Sequence, residues 1–235
     1  MNKNKVQLLG YYGNDEVIAC SAWTSTSRDL TDEKKARIPK LIEHLWMAGH
    51  ETPFEKGMVH FLVDTEIASH IHLLKHRISS MNGESARYKE LKEDKFYLPE
   101  DFKGIRLSSD IEFPDGEGGG FFYEEGKFTW DFILKEYTEF GNKLYHQALE
   151  DLTPILGRKR AKESARFFKT YNSQIEADIS FNMRSFANFI KLRNSEHAQL
   201  EIRETAQEMW DLVSNIEGNP FKETLNVISK RINNE

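Results

Sequence analysis

The spacing of apolar residues along the chain predicts short strands interspersed with longer helices. Apolar and polar residues alternate over 57–64 and 173–182, which is typical of strands with one buried face. Apolar residues that recur every three or four positions predict helices at 31–48, 129–150, 158–169, 183–193, 195–215 and about 219–232. Because strands and helices do not alternate regularly, we expect an α+β fold with a mixed sheet packed against several helices.

Weaker patterns cover the segments between these elements. Residues 6–23 are predicted to be extended, with a turn at Gly13-Asn14-Asp15. After the strand at 57–64, apolar residues at helical spacing carry a helix up to His76. Residues 78–87 are rich in Ser, Asn and Gly and should form a loop.

Proline and glycine residues predict where elements break. Pro39 is expected to split the first long helix into two pieces, and Gly49 suits its end. The Gly- and Pro-rich block 104–127 predicts an irregular surface insertion at about 100–128, or a small hairpin. With 235 residues the chain is long enough for one substantial core, so we expect a single domain over residues 1–235.

Charge and cysteine content narrow the kind of protein. The net charge of −6 argues against a general nucleic-acid or anionic-membrane binder, since both partners need a basic footprint. Cys20 is the only cysteine, so neither an intrachain disulfide nor a zinc site of paired thiolates is expected. The chain starts without the apolar core of a signal peptide, and no window approaches a membrane span of ~18 apolar residues. We therefore expect a cytoplasmic protein that contacts neither nucleic acid nor membranes.

The segment from Lys75 to Tyr88 has the composition of an anion-binding site. Its first three residues place adjacent donors at a predicted helix end, and the loop that follows can turn backbone N–H groups and hydroxyls toward one point. Arg87 can add a forked contact to a phosphate. The segment therefore predicts a binding site for a phosphate-bearing ligand. A solvated basic helix end followed by an ordinary loop is the alternative.

Two other segments carry polar residues of interest. The basic run from Arg158 to Arg166 is more typical of a solvated helix face, although Arg166 adjoins Phe167-Phe168 and is expected to be partly buried. In the predicted helix 183–193, polar side chains are interspersed with apolar ones, and polar groups that become buried there need hydrogen-bond partners. A ligand would supply those partners, and so would an internal hydrogen-bond network.

Several common chemistries find no support in the sequence. His50 and Glu55 lack a third ligand at metal spacing, so no metal site is predicted. The chain contains no P-loop, no Gly-rich dinucleotide loop after a strand and no Gly-x-Ser-x-Gly elbow. Cys20 has no local signature of an activated nucleophile.

Taken together, these segments resemble the flavin-dependent thymidylate synthases. The family signature is matched, except at its first position, by Lys75-His76-Arg77-Ile78-Ser79-Ser80-Met81-Asn82-Gly83-Glu84-Ser85-Ala86-Arg87-Tyr88. The box His50-Glu51-Thr52-Pro53-Phe54-Glu55 is similar to the upstream segment of the family. The residues from Asn182 to Arg193, followed by Glu196-His197-Ala198-Gln199, resemble its C-terminal block. The resemblance covers most of the chain except about 90–150.

The resemblance implies a homotetramer whose active sites are shared between subunits. It implies that FAD, reduced by NADPH, takes part in moving the methylene of 5,10-methylenetetrahydrofolate onto C5 of dUMP to give dTMP. The positions implied for FAD are Ser25, Thr52, Glu55, Lys75, His76, Arg77, Ile78, Asn182, Arg184, Asn188 and His197. Those implied for dUMP are His72, Gly83, Glu84, Ser85, Arg87, Arg166 and Arg193, with Ser85 and Arg193 also expected to be catalytic.

The types of residue at these positions suit the implied roles. Arg87 and Arg166 suit a phosphate, while Arg193 could stabilise negative charge that develops on the pyrimidine. A flavin carries the redox chemistry, so no catalytic cysteine is needed.

Three departures from the family pattern leave other functions open. Lys75 replaces an arginine, His72 stands where glutamine is usual, and Gly83-Glu84 moves the acidic residue by one position. A divergent C5-pyrimidine transferase, which hydroxymethylates the ring or uses dCMP, is one alternative. A flavin- or nucleotide-binding protein without turnover is another. A nucleic-acid binder that uses the run at 158–169 is disfavoured by the net charge.

Overall fold

The computed structural model describes residues 3–114 and 120–233 of the chain. Its α-helices are α1 Asp15–Trp23, α2 Asp32–Met47, α3 Ile67–Leu74, α4 Trp130–Leu156, α5 Arg158–Ala165, α6 Met183–Arg193, α7 Leu200–Ser214 and α8 Lys222–Asn233. Its strands are β1 Lys5–Tyr12, β2 Met58–Glu66, β3 Ser80–Gly83, β4 Ile111–Pro114, β5 Gly120–Tyr123 and β6 Gln174–Asn182. Helices and antiparallel strand pairs follow each other irregularly, which confirms the α+β class.

Backbone proximity divides the described residues into two compact units. The first unit consists mainly of the described residues within 84–175, together with residues 3 and 65–68. The second unit contains residues 4–64, 69–83 and 176–233. A single domain over residues 1–235 stays a prediction.

The second unit is built around a four-stranded sheet in the order β1-β2-β6-β3. The predicted alternation is confirmed, because Phe61 of β2 and Phe181 of β6 are buried on one face of the sheet. Helix α6 packs on that face: Phe186 stacks on Phe61 at 5.9 Å between ring centroids, and Phe189 lies 5.1 Å from Phe181. Burying each such ring contributes roughly 1.5–3 kcal/mol. The apolar face of α6 is therefore anchored in the core.

Residues 15–23 form a helix, so the prediction that 6–23 is extended is wrong beyond Tyr12. Asn14 Oδ1 accepts a hydrogen bond from Val17 N at 2.8 Å, which caps the first turn of α1. Ile18 and Ala19 are then buried against the core. A short apolar run such as this one fits a strand or a buried helix equally well by periodicity.

Helix α2 runs through Pro39 without a break, so the predicted split is wrong. Ile38 and Ile42 are buried on either side of the proline, and this shared buried face holds the helix together despite the missing N–H. Gly49, with φ of 72°, follows the C-terminus of α2 as predicted.

The segment 78–87 is not only loop, because residues 80–83 form β3. This strand pairs with β6, with Met81 opposite Ile179 and Gly83 opposite Ala177. Its sequence has little intrinsic strand preference, and the pairing with a buried neighbour decides its conformation. Helix α3 ends at Leu74, two residues before the predicted end.

The first unit is dominated by α4 and α5, which bury Tyr145, Leu149, Ala161 and Ala165 between them. Helix α4 extends six residues beyond the predicted end at 150, whereas α5 is shorter than predicted and passes into a 3₁₀ turn, Arg166–Phe168. In the Gly-rich insertion, β4 and β5 pair as a small antiparallel hairpin, and residues 115–119 lie outside the described residues. Among the helices of residues 3–114 and 120–233, none is long and apolar enough to cross a membrane.

Candidate active site

A cavity of about 520 Å³ lies in the second unit, between the segment that follows α3 and the polar face of α6. Its volume is within the range typical of small-molecule and cofactor sites. The residues that line it are Trp46, Glu51, Lys75, His76, Arg77, Ile78, Arg184, Ser185, Ala187, Asn188, Lys191, Leu192, Arg193 and Ile228.

One face of α6 supplies the polar wall of this cavity. Arg184, Asn188 and Lys191 follow each other at spacings of four and three, so they project on one side of the helix. Phe186 and Phe189 project on the other side into the core. Asn182 caps the helix, and its Oδ1 accepts from Ser185 N at 2.8 Å. The burial of the apolar face thus fixes the direction of the polar one.

Arg184 is held by two carboxylates from the turn after α2. Its Nε donates to Glu51 at 2.9 Å, and its Nη1 donates to Glu55 at 2.7 Å. The hydrogen bonds to Glu55 and Glu51 raise the pKa of Arg184 above its usual value. Thr52 lies in the same 3₁₀ turn and is exposed. The box 50–55 therefore contributes Glu51 to the cavity wall, and both of its glutamates hold Arg184.

His76 and Arg193 form the second polar contact of the cavity. Arg193 Nε donates to His76 Nε2 at 2.9 Å. The edge of the His76 ring packs against Phe189, with 4.9 Å between ring centroids. Burial, the charge of Arg193 and the charge of His72 lower the pKa of His76 to about 4, in that order of effect. His76 is therefore neutral at pH 7.

The cavity is strongly cationic for its size. Five of its lining side chains carry a positive charge, while Glu51 is the one carboxylate among the lining residues named above. Lys75 and Arg77 have no carboxylate partner in the described part of the chain. Trp46 and Leu192 add apolar surface to the wall. Such a lining suits an anionic ligand that also carries a flat apolar part.

The first unit holds a separate group of predicted substrate residues. Arg87 Nε donates to Glu163 Oε1 at 2.9 Å, and Glu163 also accepts from Arg160 Nη1 at 3.4 Å. The hydrogen bond from Arg87 is the largest cause of the lowered pKa of Glu163. Lys162 Nζ donates to the backbone oxygen of Tyr88 at 2.7 Å. Helix α5 thus holds the end of the signature segment instead of presenting only a solvated face.

The remaining substrate residues of the first unit lie close to Arg87 in sequence or at the end of α5. Ser85 Oγ accepts from the backbone N of Arg87 at 3.3 Å. Glu84 forms an ion pair with Lys89 at 2.7 Å, and its side chain is only 12% exposed. The guanidinium of Arg166 lies 6.0 Å from the ring centroid of Phe167. The displaced carboxylate of the signature is therefore already paired within its own loop.

Other predicted residues lie in the second unit but do not line the cavity. Ser25 is exposed and donates to Ala22 O, and His197 lies exposed in the loop between α6 and α7. His72 Nε2 contacts Gln199 Oε1 at 3.2 Å. Gly83 is the last residue of β3, and a Cβ atom there would lie 4.0 Å from the backbone oxygen of Glu176. Their roles stay predictions.

Several contacting residues lie within the segments of interest but have no predicted role. Glu51, Glu163 and Gln199 each bind a predicted residue, but they are 133, 76 and 127 positions away from their partners. No local pattern indicates such pairs. Lys191 could have been found, since it continues the spacing of Arg184 and Asn188 along one helix face.

Comparison with known proteins agrees with these features. The family model described as thymidylate synthase complementing protein matches residues 7–217. The flavin-dependent thymidylate synthase of Pseudothermotoga lettingae is 31% identical over 208 residues, which are 88% of this chain and 83% of that protein. The enzyme of the same name from Ehrlichia ruminantium strain Gardel is 29% identical over 213 residues, covering 91% and 67% of the two chains.

A solved structure has the same fold. The UMP/dUMP methylase PolB from Streptomyces cacaoi, bound with 5-Br dUMP, aligns with a TM-score of 0.73 over 98% of this chain and 96% of that one, at 23% identity.

The family model and the relatives place the chain among flavin-dependent enzymes, and the cationic cavity beside the signature segment suits an anionic ligand. The chain belongs to the flavin-dependent thymidylate synthase family, as its sequence predicted.

Proposed function

We propose that this protein makes dTMP from dUMP, with FAD as its flavin, 5,10-methylenetetrahydrofolate as one-carbon donor and NADPH as reductant. The observation that carries the proposal is the cavity of about 520 Å³, in which the first half of the signature meets the polar face of α6. Family membership supports the reaction class.

The lining of the cavity fits FAD. FAD combines a diphosphate with a flat, largely apolar ring system. Lys75 and Arg77 are cations without a carboxylate partner among the described residues, so they are available to a diphosphate. Asn188 offers an amide that can donate and accept, while Ile78 and Trp46 provide apolar contact. FAD, when bound, supplies the hydride chemistry that no side chain of the protein can perform.

The chain's own residues would bind and orient dUMP. Arg87 has two terminal nitrogens without a partner among the described residues, which suits bidentate binding of a phosphate. Arg166 would add a second cation and Ser85 a hydroxyl. Arg193 would stabilise negative charge on the pyrimidine as the new bond forms at C5. His72 and the Gly83-Glu84 pair would complete the contacts to the nucleotide.

Two measurements on the purified protein test this proposal. Flavin absorption bands should be present in the visible spectrum of the protein as isolated. Incubation with dUMP, NADPH and methylene-labelled 5,10-methylenetetrahydrofolate should give labelled dTMP by mass spectrometry. A protein that binds flavin and dUMP without oxidising NADPH would instead support the reading as a binding protein without turnover.

A divergent C5-pyrimidine transferase is the second candidate. Two side chains that depart from the family pattern favour it, because each already has a partner within this chain. Glu84 pairs with Lys89, and His72 contacts Gln199. The neighbouring fold of PolB belongs to a UMP/dUMP methylase. Product masses after separate incubations with dUMP, UMP and dCMP distinguish the candidates, since a hydroxymethyl product is heavier than a methyl product.

We also propose that the protein assembles as a homotetramer. The resemblance to the family carries this proposal, and Tyr137 and Ile155 of α4, which are 63% and 77% exposed, would be available to an interface. Light scattering after size-exclusion chromatography would give the mass of the assembly, and a mass of one chain would contradict the proposal.

A further inference from the structure

The contact between His76 and Arg193 fixes the protonation pattern of the histidine. Arg193 Nε donates to His76 Nε2 at 2.9 Å. A guanidinium keeps all its hydrogens and can only donate, so His76 Nε2 must be the acceptor. The ring proton of the neutral imidazole then lies on Nδ1. An imidazolium would point an N–H at the guanidinium and break the bond.

The surroundings of His76 preserve its neutral form. Arg193 from α6 and His72 in the last turn of α3 face the ring, and both disfavour a positive charge on it. The ring packs edge-on against Phe189. Ser79 Oγ donates to the backbone oxygen of His76 at 2.6 Å, which ties down the turn that carries the ring. The acceptor is thus held in place as well as kept neutral.

The contact also sets the orientation of the guanidinium. Arg193 is the last residue of α6 and is partly exposed, so its long side chain has several rotamers available. A bond at Nε restricts the orientation of the guanidinium plane and leaves the end of the fork, formed by the two terminal nitrogens, for another partner. No residue in the described parts of the chain binds those two nitrogens.

We propose that His76 is a positioning residue for Arg193, whose neutral Nε2 holds the guanidinium so that its free edge can meet the pyrimidine nucleotide. This inference rests on the proposed function, in which Arg193 contacts dUMP. It gives His76 a task beyond the flavin contact that the family resemblance implies. It also requires an acceptor at the position of Nε2 and no charge on the ring.

A matched pair of substitutions tests this requirement. His76→Gln places an uncharged amide oxygen close to the position of Nε2, whereas the amide oxygen of His76→Asn reaches only the position of Nδ1. The dissociation constant of dUMP is measured on the flavin-loaded proteins at pH 7.5 and constant salt. We expect His76→Gln to bind dUMP within about threefold of the unchanged protein and His76→Asn to bind about tenfold more weakly. Equal weakening by both substitutions would overturn the proposal.

The same pair in an Arg193→Ala background shows whether His76 acts through the arginine. If it does, the difference between Gln and Asn should vanish there, because the group they position is gone. A difference that persists without Arg193 would contradict the proposal. Flavin absorbance of each variant shows whether the cofactor is retained.

One measurement needs no substitution. In protein labelled with ¹⁵N-histidine, the His76 resonances should report a protonated Nδ1 and an unprotonated Nε2 at pH 7, and the reverse tautomer would overturn the proposal. Failure of the proposed function is distinguishable, since the unchanged holoenzyme would then not bind dUMP at all. Weak dUMP binding by Arg193→Ala, together with equal affinities of His76→Gln and His76→Asn when Arg193 is present, would remove only the role of His76.

Discussion

The replacement of Arg87 by alanine is expected to weaken dUMP binding strongly and to leave the flavin in place. In the first unit, Arg87 Nε is bound to Glu163 at 2.9 Å, and its terminal nitrogens have no partner among the described residues. The ion pair therefore holds the side chain while leaving the edge that would bind a phosphate. The cationic cavity of the second unit contains no atom of Arg87, so its affinity for flavin should not change.

The size of the effect follows from the contacts that would be lost. Two charge-assisted hydrogen bonds to a phosphate are worth roughly 1.5–3 kcal/mol each when desolvated. The Arg87 side chain is 45% exposed, so solvent screening reduces the total, and about 2–3 kcal/mol is a reasonable expectation. That corresponds to roughly 30- to 150-fold weaker binding. The fold should lose less than about 1 kcal/mol, because Glu163 keeps its contact with Arg160.

Isothermal titration calorimetry of dUMP into the flavin-loaded protein measures this change. Arg160→Ala is the matched control, since it removes a cation from the same carboxylate but leaves Arg87 in place, and its affinity should stay within about twofold. The visible absorbance of bound flavin verifies that the cavity is intact. If Arg87→Ala bound dUMP as tightly as the unchanged protein, the assignment of Arg87 to the phosphate would be wrong.

Three further predictions concern the cavity and the fold. Arg184→Leu is expected to lower the ratio of flavin to protein absorbance after purification, because it removes the cation that Glu51 and Glu55 hold at the cavity; an unchanged ratio would contradict this. Gly141→Ala should lower the free energy of unfolding in urea by about 1–3 kcal/mol despite the better helix propensity of alanine, since the new Cβ would lie 2.6 Å from the backbone oxygen of Phe168; equal or higher stability would refute it. Stability should fall as the pH drops from 6.5 toward 4, because the pKa of His76 is lower in the folded protein than in the unfolded chain, which therefore binds the proton first. His76→Gln should lack this part of the change in the urea midpoint.

The elements that the sequence predicts well are those with a long periodic pattern. Helix α6 begins and ends where the pattern predicts, because its buried face and its cap Asn182 are both local signals. The sequence pattern does not predict strand β3, since its four residues owe their conformation to pairing with β6. The apolar residues of α1 fit a strand as well as a helix, because a run that short has no period to distinguish the two.

The same distinction between local and distant signals applies to the candidate site. The order of residues in the signature predicts that Lys75 and Arg77 act together, and the structure places both on one cavity. The partners that orient the site residues are distant in sequence, as with Arg184 and Glu55, which are 129 positions apart. Such pairs form only once the sheet and helices are assembled, so a single sequence carries no signal for them.

The two ends of the signature segment belong to different units. Lys75 to Ile78 line the cationic cavity of the second unit, and β3 then pairs with β6 in the sheet of that unit. From Glu84 onward the segment belongs to the first unit, where α5 binds it through Glu163 and Lys162. One continuous stretch of chain thus supplies cations to a flavin-sized cavity and, a few residues later, a fork suited to phosphate. Within the second unit, the pairing of β3 with β6 gives the middle of the segment a defined strand conformation instead of a free loop.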